Sequence, residues 1–340
     1  MRIARRAALA AAFALPFAAS AAFAADKTVT LGYQTSALPY IVGIQDGGLA
    51  LATGWHIDFR RFNSGAEIFA AIAGGAVQGG DVGSSPFAAA VSNGIDVQAV
   101  YVLAGAGQDE QLIVRNGSGI NSPADLRGKH LAAAPVSTDH YMLLSVLKQE
   151  GIPENAVTFL TIPQPQIVAG WARGDIDAAF VWNPALDELL KTGKSLLTAE
   201  QVAARGAPTF DALVFTTAFI HDNPDFVRSY VHAVNGYYAD YAAHPDAWNA
   251  GSDNTKKLAA LLGATPAQHA DDLKSHHFPT ATEQLSATWL GGGIATALKN
   301  TAAFLKEQHK ITTIADSYAV AGSMSTIHAS TAVKALRRFG

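Results

Sequence analysis

Strand and helix signals alternate along most of this chain. That succession narrows its fold more than any other feature, because a βαβα order buries its strands in a parallel sheet covered by helices. Thr28 to Tyr33 alternates as a strand, a helical stretch follows from about Pro39 to Ala52, and His56 to Phe62 forms a second strand. Ser64-Gly65-Ala66-Glu67 has the form of a capping box, with Ile68, Phe69, Ile72 and Ala73 at helical spacing behind it. A short strand near Gln78 to Val82, a helix begun by Pro86 and an apolar strand from Val97 to Leu103 continue the pattern.

A second unit begins after Arg115, where Asn116-Gly117-Ser118-Gly119 marks a loop and Ser122-Pro123-Ala124-Asp125 opens a helix. Lys129 to Ala133 reads as a strand. Asp139 to Glu150 reads as a helix with Leu143, Leu144 and Leu147 on one face and Gly151 as its stop. Asp177 to Trp182 is a buried strand, and Leu213 to Phe215 returns as another. From Pro224 onward the pattern is largely helical, with Phe226, Val227, Tyr230, Val231 and Val234 on an amphipathic face. The expected architecture is α/β: two α/β lobes joined by two crossing strands near Gln111 and Ala212, with a ligand cleft between them. The expected boundaries are 25–113 and 213–325 for a discontinuous lobe 1, 114–212 for lobe 2, and a solvated tail over 326–340.

The first residues speak to compartment. Arg2, Arg5 and Arg6 make a basic start, Ala7 to Ala19 is an apolar run broken only by Pro16, and Ala22-Phe23-Ala24 is a small-x-small cleavage site. This is the pattern of a signal peptide over 1–24. The apolar run is shorter than the roughly 20 residues that span a membrane. Arg5-Arg6 without the rest of a twin-arginine signal favours Sec export to the periplasm. Removing these residues takes away three arginines, so the formal charge moves from −4 to −7. A chain this acidic does not suit nucleic acid as a partner. There is no cysteine, which excludes thiol nucleophiles, thiolate metal sites and a lipobox anchor. A chain of this size buries enough core to stand without disulfides.

Four segments place polar side chains where a strand ends and a helix begins: Gln34-Thr35-Ser36, Gly83-Ser84-Ser85-Pro86, Ser137-Thr138-Asp139-His140 and Trp182-Asn183-Pro184. In open α/β sheets, ligands sit beyond the carboxyl ends of the strands, where helix N-termini supply unpaired N–H groups and partial positive charge. Such a cluster suits a tetrahedral anion held by neutral donors. Each serine is also explained as an N-cap alone.

These turns, with Phe62-Asn63-Ser64-Gly65-Ala66, Ala172-Arg173-Gly174-Asp175-Ile176-Asp177-Ala178, Gly206-Ala207-Pro208-Thr209-Phe210-Asp211 and Phe304-Leu305-Lys306-Glu307-Gln308, make the chain resemble the taurine-binding periplasmic components of bacterial ABC importers. The resemblance runs in order from about residue 28 to 320. The Gly-Asp-x-Asp-Ala turn is widespread among type II solute-binding proteins, and the Gly-Ser-Ser-Pro turn together with Asp211 is more discriminating. It implies a type II periplasmic binding protein that captures taurine, or a similar sulfonate, by hinge closure. The captured ligand would pass to a membrane permease whose ATPase is a separate subunit. The implied state is a monomer without cofactor or metal.

A zwitterion needs a site for its ammonium, and Glu110 and Asp211 are the candidates, with Trp182 as a wall or cation partner. The full candidate set is Gln34, Ser36, Ser84, Ser85, Glu110, Ser137, Thr138, His140, Trp182 and Asp211. Other readings stay open: Glu110 as a surface residue of a hinge strand, Asp211 as a cap or an ion-pair partner elsewhere, and Trp182 as core. Asp81, just before the Gly-Ser-Ser turn, is expected to face away from a bound sulfonate. Other ligands in the same class are alkanesulfonates and small oxyanions such as nitrate.

Enzyme readings fare worse. Gly83-Ser84-Ser85-Pro86 is not the G-x-S-x-G elbow, and His269, His276 and His277 lack metal-ligand spacing. Neither a Walker A loop nor a dinucleotide fingerprint is present. A thiamine-precursor type of enzyme built on the same fold is the alternative from a different class.

Overall fold

The computed structural model describes residues 27–319. The expected signal peptide and the 326–340 tail lie outside the described residues. In chain order the elements of the first unit are β1 (Thr28–Tyr33), α1 (Ile41–Gln45), α2 (Gly48–Thr53), β2 (His56–Arg61), α3 (Gly65–Ala73), β3 (Gly79–Gly83), α4 (Ser84–Ser92) and β4 (Val97–Gly105). The next unit holds β5 (Glu110–Arg115), β6 (His130–Ala133), α5 (Thr138–Gln149), β7 (Thr158–Thr161), α6 (Gln164–Arg173), β8 (Ala178–Trp182), α7 (Ala185–Leu190), β9 (Gly193–Thr198) and α8 (Ala199–Ala204). The chain then returns through β10 (Phe210–Thr216) and ends in helices α9 (Thr217–Asp222), α10 (Pro224–Ala243), α11 (Asp253–Leu262), α12 (Pro266–Ser275), α13 (Ala281–Gln284) and α14 (Gly293–Glu307).

Two five-stranded sheets result, in the orders β2-β1-β3-β10-β4 and β7-β6-β8-β5-β9. In the first, β1 runs parallel to β2 and β3, while β10 is antiparallel to both β3 and β4. The second repeats the plan, with β6 parallel to β7 and β8, and β5 antiparallel to β8 and β9. In each sheet the antiparallel strand is the one that has just arrived from the other unit. The chain thus passes between sheets twice, after Gly105 and before Phe210, and the two passages touch where Ala106 N–H donates to the Thr209 carbonyl at 3.1 Å. Residues 110 to 113 therefore pair in the second sheet, a few residues ahead of the expected change at 113/114.

Both faces of each sheet are covered, as period-two alternation along the strands requires. On β8, Ala178 and Phe180 join Leu112, Leu131 and Leu143 on one side, while Ala179 and Val181 join Ile113, Ile167 and Leu186 on the other. On β10, Leu213 and Phe215 pack under α10 with Phe226 and Tyr230, and Ala212 and Val214 pack under α14 with Leu298. Burying a side chain such as Phe215, which is fully inaccessible, contributes about 1.5–3 kcal/mol.

Local departures from the sequence reading have local causes. The stretch from Pro39 to Ala52 is two short helices, because Gly47 between them takes φ 74°, a left-handed conformation that glycine adopts without steric cost. Helix α4 starts at Ser84, two residues before Pro86. Proline fits there because the first turn's N–H groups have no intrahelical acceptor. After Ser122 a 3₁₀ turn forms (Pro123–Leu126), closed by a capping box with Asp125.

Candidate ligand-binding cleft

The carboxyl ends of both sets of parallel strands open onto the space between the sheets, and three helices begin there. Gly65 is the first residue of α3 after its cap Ser64, Gly83 caps α4, and Thr138 is the first residue of α5 after its cap Ser137. All three line one cleft, together with Gln34, Ser36, Pro86, Glu110, Ser137, Trp182 and Asp211. Helix N-termini carry partial positive charge and unpaired N–H groups, so three of them aimed at one space favour an anion. In this conformation the cleft encloses about 20 Å³, room for little more than one water molecule. A ligand of several heavy atoms enters only when the sheets part.

Seven of the ten residues singled out from the sequence meet in this cleft: Gln34, Ser36, Glu110, Ser137, Thr138, Trp182 and Asp211. Ser84, Ser85 and His140 do not line it. The Ser84 hydroxyl accepts from Phe210 N–H at 3.3 Å, and Ser85 is wholly buried in the first turn of α4. His140 is buried in the first turn of α5, where Nδ1 accepts from Val136 N–H at 3.1 Å and the ring lies 5.2 Å from that of Phe159. Desolvation, with Lys310 adding to it, lowers the His140 pKa to about 4, so the ring is neutral at ordinary pH.

The serine turns have two kinds of outcome. Ser137 is a working cap: its hydroxyl accepts from His140 N–H at 3.1 Å and donates to the Ala134 carbonyl at 2.8 Å. Gln34 Nε2 donates to the Asp81 carbonyl at 3.0 Å. Asp81 itself turns to the other side, where Oδ2 accepts from the Tyr40 hydroxyl at 2.7 Å.

The same cleft also holds acidic side chains. Glu110 begins β5 opposite Trp182 in register, and it accepts a hydrogen bond from the Thr138 hydroxyl. Asp211 on β10 stands opposite Gly83 on β3. Glu110 is buried and Asp211 keeps a partly exposed edge, and loss of solvent raises the pKa of each. Desolvation, reinforced by Asp139, Asp109 and Asp211, holds Glu110 well above the usual carboxylate range. Desolvation, with Asp109 and Asp81, pushes Asp211 up to about 7.

Three members of this cluster escaped the sequence reading. Asp139, on α5 beside Thr138, is wholly buried, and desolvation with Asp109 and Asp211 raises its pKa well above normal. Asp109 lies on the first passage between the sheets, and His276 Nε2 is 3.5 Å from its Oδ2. Burial disfavours a charged His276, but Asp109 and Asp272 outweigh that and raise its pKa. Asp139 lies in a turn the sequence displays and His276 among its histidines, but their part in this cluster arises only through neighbours distant in sequence. No group of three or more metal-ligating side chains suited to a metal ion occurs among the described residues.

Comparison with known proteins agrees with this architecture. A family model described as NMT1/THI5 like matches residues 52–248. The taurine-binding periplasmic protein of Escherichia coli (strain K12) is 39% identical over 290 residues, 85% of this chain and 89% of that protein. Among solved structures, the alkanesulfonate-binding protein SsuA from Xanthomonas axonopodis pv. citri, bound to MOPS, superposes with a TM-score of 0.70. It is 22% identical and covers 84% of this chain and 94% of its own. The periplasmic aliphatic sulphonate binding protein SsuA from Escherichia coli has the same TM-score at 20% identity, with 88% and 93% covered. The two sheets are thus the two lobes of a periplasmic-binding-protein fold, and the chain belongs to the NMT1/THI5-like family, in the group that includes the taurine-binding periplasmic protein of Escherichia coli.

Proposed function

We propose that this protein is the periplasmic solute-binding component of an ABC importer and that its ligand is taurine. The observation that carries the reading is the make-up of the cleft: three helix N-termini and two carboxyl groups, Glu110 and Asp211, line one small space. A sulfonate is satisfied by backbone N–H groups at Gly65, Gly83 and Thr138 and by the Ser36 hydroxyl without a full counter-charge. An ammonium group returns to the carboxylates the stabilisation they lost on burial. Trp182 forms a wall of the same space, next to Glu110. A ligand with only the anionic end leaves a buried charge unpaired, which disfavours simple alkanesulfonates.

The lobes, 25–113 with 213–325 and 114–212 to within a few residues, rotate about the two passages near Ala106 and Thr209. Contacts from both lobes favour the closed form once ligand is present. A membrane permease recognises that form, and a separate subunit hydrolyses ATP. The signal pattern over 1–24 supports export to the periplasm. The 39% identical relative is named for binding taurine, which supports binding without chemistry as the reading for this chain.

Titration calorimetry of the mature protein, stripped of ligand, against taurine, ethanesulfonate, sulfate and nitrate tests the proposal. Micromolar or tighter binding of taurine, about −8 kcal/mol or better, with much weaker binding of the others is expected. A preference for ethanesulfonate would remove Glu110 and Asp211 from the ligand. Conversion of the ligand would overturn the non-enzymatic reading.

A further inference from the structure

One helix of the first lobe grips the second lobe beside the cleft. Leu273 anchors α12 in the core under the first sheet, and from the same helix Gln268 and Asp272, four residues apart and so on one face, reach the first turn of α7. Gln268 Nε2 donates to Asp187 Oδ2 at 2.7 Å, and Asp272 Oδ1 accepts from Asn183 Nδ2 at 2.9 Å. The other Asp272 oxygen accepts from Ala37 N–H at 3.2 Å, which ties the carboxylate to its own lobe. Asn183 is held a second time, because its carbonyl accepts from the Thr35 hydroxyl of the first lobe at 3.0 Å. Its side-chain oxygen meanwhile accepts from Asp187 N–H at 3.2 Å and so orders the start of α7.

The burial of this contact sets it apart from the ion pairs on the opposite side of the lobe junction. Lys148–Glu307 is about half exposed on both partners, and such pairs contribute little. Asp272 is only 5% exposed, and a hydrogen bond to a charged acceptor shielded from water is among the stronger kinds. Asn183 also follows Trp182, a wall of the cleft, directly in sequence. Whatever holds Asn183 therefore holds that wall against the first lobe.

We infer that Asp272, assisted by Gln268 and Thr35, is a positioning residue for ligand capture: it does not line the cleft, but it latches Asn183 in the closed form and thereby sets how slowly ligand escapes. The latch forms only on closure, so it acts on the dissociation rate more than on the association rate. The inference rests on the binding-protein reading above, and its test separates the two.

The donor–acceptor polarity of the pair supplies that test. Asp272→Asn keeps an oxygen for Ala37 N–H but sets an amide N–H₂ against that of Asn183, and Asn183→Asp sets two carboxylates together. Combining the two substitutions restores one donor and one acceptor in reversed order. Stopped-flow measurement with taurine is expected to show each single variant releasing ligand about tenfold faster, with association within about twofold of the parent. The double variant should return to within about threefold. A purely structural role would instead lower the melting temperature of the ligand-free single variants and leave the double variant no better.

A ligand-independent arm uses the absence of native cysteine. Leu51→Cys and Leu190→Cys, exposed sites on the two lobes, take a fluorophore pair that reports lobe separation. The ligand-free single variants should shift toward the open separation and the double variant back. If taurine fails to bind the parent but the separations follow this order, the ligand assignment falls and the latch stands. Unchanged separations and release rates in the single variants, or a double variant no better than the worse single, would overturn the latch.

Discussion

A Cβ placed on Gly83 would stand 2.8 Å from Cγ2 of Thr138, across the cleft and on the other lobe. Real Cβ atoms do not approach so closely, so alanine at this position holds the lobes apart. Gly83 has φ −74°, which any residue adopts, and the open lobe therefore tolerates the change. Gly83→Ala is expected to leave the melting temperature of the ligand-free protein within about 1 °C and to weaken ligand binding at least tenfold, measured by calorimetry. Binding equal to the parent would mean that productive closure stops short of this contact.

Asp211→Asn separates the two ends of a zwitterionic ligand. Removing one member of a buried charge pair costs about 2 kcal/mol or more, so the taurine Kd should rise roughly thirtyfold while that of ethanesulfonate changes little. The ligand-free variant should be no less stable at pH 8, because a desolvated carboxylate has been replaced by a neutral amide. Equal losses for both ligands would take Asp211 out of ammonium recognition.

Acidity should move stability and binding in opposite directions. Burial raises Asp81 to about 6 and Asp211 to about 7, above the ordinary aspartate value of 3.8. The folded state therefore binds more protons than the unfolded chain between about pH 4 and 7. The stability these groups contribute is fully present below the unfolded pKa and is lost as pH rises through 6 and 7. The ligand-free protein should melt higher at pH 5.5 than at pH 8, by roughly 2 °C or more. An ammonium ligand needs the carboxylates ionised, so its Kd should rise as pH falls through 7. Parallel trends in melting temperature and affinity would contradict this.

Core and surface substitutions should differ sharply. Phe215 is fully buried among Phe219, Phe226 and Tyr230, and Phe215→Ala is expected to cost about 3–5 kcal/mol in denaturant unfolding. Lys148→Met breaks a half-exposed ion pair with Glu307 and should cost less than about 1 kcal/mol.

Local pattern was sufficient for the strand–helix alternation, for the caps at Ser64 and Ser137, and for the turns that deliver Gln34, Ser36, Ser137, Thr138 and Trp182 to one cleft. Periodicity and capping involve residues within a few positions of one another, so the chain displays them directly. Ser84 and Ser85 look the same in that pattern, yet both are buried inside the first lobe, the Ser84 hydroxyl accepting from Phe210 N–H and the Ser85 hydroxyl left without a hydrogen-bond partner. His140 follows a promising turn and still ends against Phe159. Asp109 and Asp272 carry no local mark at all, while Asp139 sits in a polar turn and His276 in a histidine-rich stretch without either pattern pointing to the cluster. They gather because the chain crosses twice between sheets and α12 folds back over the junction. Desolvation and charge coupling depend on distance through space, and only tertiary packing decides which carboxylates lose their water together.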